Sequence, residues 1–201
     1  MKILLAQLEV VAGRPDLNYQ KIRALYEQHQ SDTEVLVFPE MAIPGYLISD
    51  QWEDPTFLED CCFYNEELRR LTEECVLVFG SIAVDQSLGE DGRPRRWNSA
   101  WIAQKGEWVE NRALGTFHFP KTLMPNYREF DDSRYFYDLR KYALEKDLAL
   151  DSLYHPISLE WKNGKSLQFV PLLCEDSWDV DYPFSPSKVY ASLGAEVLCN
   201  L

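Results

Sequence analysis

The chain has 201 residues, 46% hydrophobic and 26% charged, enough to bury one sizeable core. Its formal net charge of −13 argues against nucleic acid as a main partner, because phosphate binding needs a basic face. No stretch has the apolar length of a membrane span, and Met1-Lys2 leads straight into a strand rather than a signal peptide.

The apolar run at residues 2–11 predicts a strand covered on both faces. Residues 12–16 are turn chemistry, with Asp16 expected to cap a helix carrying Leu17, Ile22, Leu25 and Tyr26. A second buried strand is expected at 33–38, ended by Pro39-Glu40. This strand–helix–strand order predicts a right-handed crossover. Pro44, Gly45 and Pro55 keep 41–56 irregular; a helix is expected at 57–73 and a strand at 75–84. Residues 89–94 are a loop, and the only basic cluster, Arg93-Pro-Arg-Arg96, is read as a solvated hairpin loop. Strands at 97–103 and 107–114 should pair across Gln104-Lys-Gly106. Residues 115–132 form an aromatic-rich loop, and 133–149 are partly helical. Strands at 153–161 and 165–173 flank the hairpin signal Lys162-Asn-Gly164. Ser185 should cap a short helix that starts at Pro186. The chain stops inside an apolar strand begun at 196, which predicts a fragment of something longer. Five cysteines, odd in number and without a C-x-x-C pair, indicate reduced cytosolic thiols and a cytoplasmic protein. Three scattered histidines lack metal-ligand spacing, so no metal is expected.

Three stretches carry candidate chemistry. In Phe169-Val-Pro-Leu-Leu-Cys174-Glu-Asp-Ser-Trp178 a buried strand ends abruptly at a thiol, which presents Cys174 at a sheet edge as a nucleophile. The plainer reading is a small buried hydrophobe. Val35-Leu-Val-Phe-Pro-Glu40 sets a carboxylate at a strand end, where desolvation suits it as a general base; an ordinary strand-end acid is the alternative. Lys121 sits amid aromatics and prolines, where it either stabilises an oxyanion or snorkels at the surface. Together they supply base, anion stabiliser and nucleophile for covalent acyl transfer.

Phe38-Pro-Glu40, Lys121 with Leu123-Met-Pro-Asn-Tyr127 and Phe130-Asp131, and Leu173-Cys174-Glu-Asp-Ser-Trp178 resemble the Glu-Lys-Cys triad of the nitrilase (carbon–nitrogen hydrolase) superfamily. The wording is most similar to the glutaminase domains of glutamine-dependent NAD+ synthetases, over residues 1–201. The resemblance implies an α/β fold, a four-layer α-β-β-α sandwich truncated at its C-terminus. It implies hydrolysis of the glutamine side-chain amide, with ammonia passed to ATP-dependent NAD+ synthesis from deamido-NAD+. It assigns Cys174 as nucleophile, Glu40 as base and Lys121 as oxyanion stabiliser. Tyr46, Tyr127, Phe130 and Glu175 would shape the glutamine pocket, and Glu129 is a candidate second glutamate by its spacing from Lys121.

The chain departs from the family pattern in three places. Phe130-Asp131-Asp132 shortens the last acid of Phe-Asp-Glu, residues 137–166 form a longer connection, and a pocket loop expected near Asn200 meets the chain end at Leu201. The resemblance implies no cofactor for this domain; ATP and Mg would belong to the absent synthetase domain. It also implies a homo-oligomer, glutamine as substrate and the synthetase domain as partner. The alternatives are a free-standing amidase acting on another small amide, and an inactive fragment with an assembly role.

Overall fold

The computed structural model describes residues 1–89, 92–161 and 164–201. Its first unit is β1 (Ile3–Leu5), α1 (Pro15–His29) and β2 (Val35–Val37), followed by α2 (Pro55–Leu71) and β3 (Val76–Leu88). β1, β2 and β3 run parallel, with Leu4 opposite Leu36 and Leu36 opposite Leu77. β4 (Pro94–Gln104) returns antiparallel to β3, and both β5 (Glu107–Trp108) and β6 (His118–Pro120) pair with β4. The second sheet contains β7 (Ile157–Trp161), β8 (Lys165–Leu172) and β9 (Val197–Asn200), in that order.

The two-residue period of the strands sorts the core into layers. Leu36, Leu77 and Phe79 point to one face and pack with Ile22 and Tyr26 of α1 and Phe57, Cys61 and Leu68 of α2. Their neighbours Val35, Val37, Val76 and Val78 point to the other face and meet Ile157, Leu159 and Phe169 of the second sheet. The order is therefore helices, sheet, sheet. Beyond the second sheet, α5 (Pro186–Ser192) borders a small cavity with Leu172 through Pro186 and Tyr190. Short helices α3 (Asp132–Tyr135) and α4 (Leu139–Glu145) lie in the long connection between β6 and β7.

Several local expectations are corrected. β1 ends at Leu5, itself 68% exposed, so the apolar run does not continue as strand. Buried Asn18 instead holds the following loop, accepting from Val11 N at 2.8 Å and donating to Val11 O and Ile43 O. Asp16 caps nothing, because both its oxygens accept from Arg14, which occupies the cap position. The basic run is not a solvated loop: Pro94 opens β4, and Arg96 is 6% exposed with its guanidinium donating to Trp52 O at 2.7 Å. The partner of β4 shrinks to two residues because the chain folds back at an Asn111–Thr116 bridge, and β6 takes the next place on β4. The Lys162-Asn163 part of the hairpin signal lies outside the described residues, but β7 and β8 do pair antiparallel. Ser185 caps α5 as expected, accepting from Lys188 N, with Pro186 at the first helical position.

Candidate active site

Glu40 follows β2, where the chain leaves the sheet: Phe38 N donates to Val78 O at 2.8 Å and Gly80 N to Pro39 O at 3.0 Å. The close crossing requires glycine at position 80, since a Cβ there would stand 2.5 Å from Glu40 Cα and Met41 N. Lys121 follows β6, its N donating to Asn98 O of β4 at 2.8 Å. Its side chain is wholly buried. Nζ donates to Glu40 Oε1 at 2.8 Å and Asp132 Oδ2 at 3.2 Å, with Tyr46 OH 3.4 Å away. Asn98 Nδ2 also donates to Glu40 Oε1, at 2.7 Å.

Cys174 begins the turn after β8, with φ at +41°, in the left-handed region that non-glycine residues seldom occupy. Such a conformation costs about 1–3 kcal/mol and persists only where the surroundings impose it, as at functional sites. Its N donates to Leu201 O at 3.3 Å. The same turn carries Asp176, 4% exposed, whose carboxylate accepts from Thr122 N and Leu123 N at 3.1 and 2.8 Å. Asp176 thus ties the turn bearing the thiol to the loop bearing the lysine.

The electrostatics follow from burial. Desolvation pushes Glu40 above the ordinary carboxylate range, although Lys121 and Asn98 pull it down. Asp132 is raised by burial against the same lysine and Tyr46. Lys121 is held protonated by the two carboxylates in spite of its own burial. Burial, then Glu40, raise the Cys174 thiol, with Lys121 opposing them. The resting sulfur is therefore a thiol, and it needs a base to become a nucleophile.

The residues expected to shape the pocket form one connected wall. Tyr46 donates to Asp132 at 2.7 Å and meets Phe130 edge-on at 5.6 Å between centroids. Phe130 meets Tyr127 at 5.8 Å, and Tyr127 OH donates to Glu175 Oε2 at 3.0 Å. Glu175 is 5% exposed, and its second oxygen accepts from Tyr182 OH at 2.8 Å. Glu129 is exposed and lines a neighbouring cavity of about 350 Å³; the second acid on Lys121 is Asp132.

No family model matches the chain. In sequence it is similar to the glutamine-dependent NAD(+) synthetase of Synechocystis, 28% identical over an alignment of 193 residues that covers 94% of this chain and 30% of that protein. In structure it is similar to the glutamine-dependent NAD+ synthetase of Acinetobacter baumannii, at 26% identity and a TM-score of 0.71, covering 99% of this chain and 31% of that one. The chain has the nitrilase fold and is related to glutamine-dependent NAD+ synthetases. The fold extends to the NitN amidase of Neterenkonia sp. AN1, at 20% identity and a TM-score of 0.67 over 100% of this chain and 66% of that one. This nitrilase-type domain spans about 30% of the length of the curated relatives it matches.

Asn98, Asp132, Asp176 and Tyr182 were not singled out from the sequence. Asp132 and Asp176 stood inside the motifs, and an asparagine within the expected strand at 97–103, followed by Ser99 and then apolar residues, is the signal for Asn98. Nothing local marks Tyr182. Among the described residues no group of three metal-ligating side chains gathers, and no helix is long and apolar enough to cross a membrane.

Proposed function

We propose that this domain hydrolyses the side-chain amide of glutamine and supplies ammonia to an ATP-dependent NAD+ synthetase domain in a longer chain. The observation that carries the reading is Lys121, a wholly buried cation 2.8 Å from Glu40 in the loop that Asp176 ties to the Cys174 turn. The wall from Tyr46 to Glu175 offers an acidic end suited to the α-amino group of the substrate.

In this reading Glu40 takes the thiol proton as the Cys174 sulfur bonds to the amide carbonyl carbon. The oxyanion is held by the Lys121 ammonium and the backbone N–H of Glu175. Collapse breaks the C–N bond, and Glu40 returns the proton to the leaving nitrogen, releasing ammonia and a thioester. Water then gives a proton to Glu40 and its oxygen attacks the thioester. The thiolate leaves and is reprotonated by Glu40, completing the cycle with glutamate.

Cys174→Ala in the full-length chain is expected to abolish glutamine-dependent NAD+ synthesis, by roughly four orders of magnitude or more, while ammonia-dependent synthesis persists. Retained use of glutamine would sink the assignment. For the isolated domain, an electrophilic glutamine analogue should label Cys174, as read by intact mass; an unlabelled chain would support the inactive-fragment reading.

A further inference from the structure

Asn98 touches both partners of the nucleophile. It lies on β4 opposite Ile82 of β3 and is wholly buried. Its backbone O accepts from Lys121 N at 2.8 Å, and its Nδ2 donates to Glu40 Oε1 at 2.7 Å. One residue inside a strand thus sets the lysine through its backbone and the base through its side chain. Turning the amide over would bring Oδ1 against the carboxylate, acceptor against acceptor, so its orientation is fixed by Glu40. Oδ1 is itself buried and has no hydrogen-bond partner among the described residues. Packing alone would be met by an apolar side chain, as it is by Ala100 and Ile102 further along the same face of β4.

The two oxygens of Glu40 are therefore unlike. Oε1 accepts from Lys121 Nζ at 2.8 Å as well as from Asn98, which fills both of its lone-pair positions. Oε2 accepts no hydrogen bond among the described residues. A proton placed on Oε1 would confront two N–H donors and expel one of them. A proton placed on Oε2 leaves Oε1 as a carbonyl oxygen that still accepts from both, so neither bond breaks as the carboxyl changes state. Held by a single donor, the carboxylate would be free to turn; the second donor stops it. We infer that Asn98 is a positioning residue that, together with Lys121, occupies Oε1 and so assigns proton transfer to Oε2 of Glu40. The inference rests on the acyl-transfer reading above. The thiol proton passes to Oε2 as the sulfur bonds to the carbonyl carbon, and the same proton passes to the nitrogen as the C–N bond breaks.

The rate at which iodoacetamide alkylates Cys174, read by peptide mass between about pH 4 and 9, tests the role in the parent and in Asn98→Leu. This reagent needs no glutamine pocket. The charged and titratable groups that face Glu40 are Lys121, Asp132, Tyr46, Cys174 and Asp176, and the variant keeps them all. Loss of a donor to the carboxylate favours its protonated form. The acid limb of the rate should move to higher pH by about one unit, and below that limb the rate should fall about tenfold. A purely structural role would change the rate by one factor at every pH, so an unmoved limb overturns the inference. Circular dichroism reports folding, and Asn98→Val, smaller and equally without a donor, is read where Asn98→Leu does not fold. An electrophilic glutamine analogue separates this inference from the reading it rests on. A shifted limb in a chain that the analogue does not label keeps the role of Asn98 and counts against glutamine as substrate. An unmoved limb in a chain that the analogue does label does the reverse.

Discussion

Lys121 and Tyr127 lie six residues apart in one loop, yet they are held in opposite ways. Lys121 is wholly buried, contacts two carboxylates and a tyrosine hydroxyl, and is tied to β4 through its own backbone. Tyr127 is 50% exposed, and its hydroxyl makes one hydrogen bond, to Glu175. The inner half of the site is a closed ionic network whose members fix one another. The outer half is an aromatic wall in contact with solvent. Groups that move protons need exact, water-poor placement, whereas groups that admit a substrate need access.

Removing the lysine gives the largest effect on this contrast. Lys121→Met leaves Glu40 and Asp132 buried together without their cation, and loss of one partner from a buried ion pair costs about 3–5 kcal/mol. The expected result is a melting temperature lower by roughly 6–20 °C and loss of Cys174 labelling by a glutamine analogue. An unchanged melting temperature would mean that the inner network does not behave as a closed unit.

The contrast also explains what could be read from the sequence. Glu40 and Cys174 each stand just past a strand, so the buried apolar runs before them announce a sheet edge with a reactive group, whereas Lys121 was read in an aromatic-rich loop and β6 before it, three residues long, was not foreseen. The layering was expected from the family resemblance, and the alternation of valine with leucine and phenylalanine along β2 and β3 is its physical basis. What stayed hidden depends on long-range closure. Asp132 is linked to Lys121 only once α3 folds back, and Glu129, with the better spacing, remains exposed. The length of β1 was overestimated because hydrophobicity does not reveal that Asn18 would capture the backbone of Val11. The basic run looked solvated because Trp52 O and Glu53, its partners, lie more than 40 residues upstream.

Asp176 joins the two halves, and pH is the way to sharpen its role. Burial raises its carboxyl to about 7, with the Leu123 and Thr122 amides and Lys121 opposing. The unfolded chain releases this proton near 3.8, so between about 4 and 7 the native state binds more protons than the unfolded one. The group's contribution to stability therefore falls as pH rises through that window, by up to about 1.4 kcal/mol per pH unit, and is level above it. Denaturant unfolding across pH 4–8 should show this slope in the parent and a flatter curve in Asp176→Asn. Parallel curves would mean that Asp176 titrates as it does in the unfolded chain. Above pH 7 the asparagine variant should still label more slowly at Cys174, because its amide keeps one acceptor oxygen for Thr122 N and Leu123 N but puts an N–H donor where Oδ2 faces Thr122 N at 3.4 Å.

The smallest effect belongs to the outer wall. Tyr127→Phe removes one hydroxyl from Glu175 and leaves Tyr182 on the other oxygen, so the carboxylate stays oriented. A partly exposed hydrogen bond to a charged group contributes about 1 kcal/mol, which corresponds to roughly a fivefold rise in KM for glutamine at nearly constant kcat. Thermal unfolding should be almost unaffected, since the ring's edge contact with Phe130 survives. The double variant Tyr127→Phe/Tyr182→Phe leaves Glu175 buried without either hydroxyl. Its KM should rise by more than the product of the single effects, because removing the second donor leaves a desolvated carboxylate with nothing to replace it. If the two effects simply multiply, each tyrosine acts alone, and the outer wall is a set of separate contacts with none of the mutual support found around Lys121.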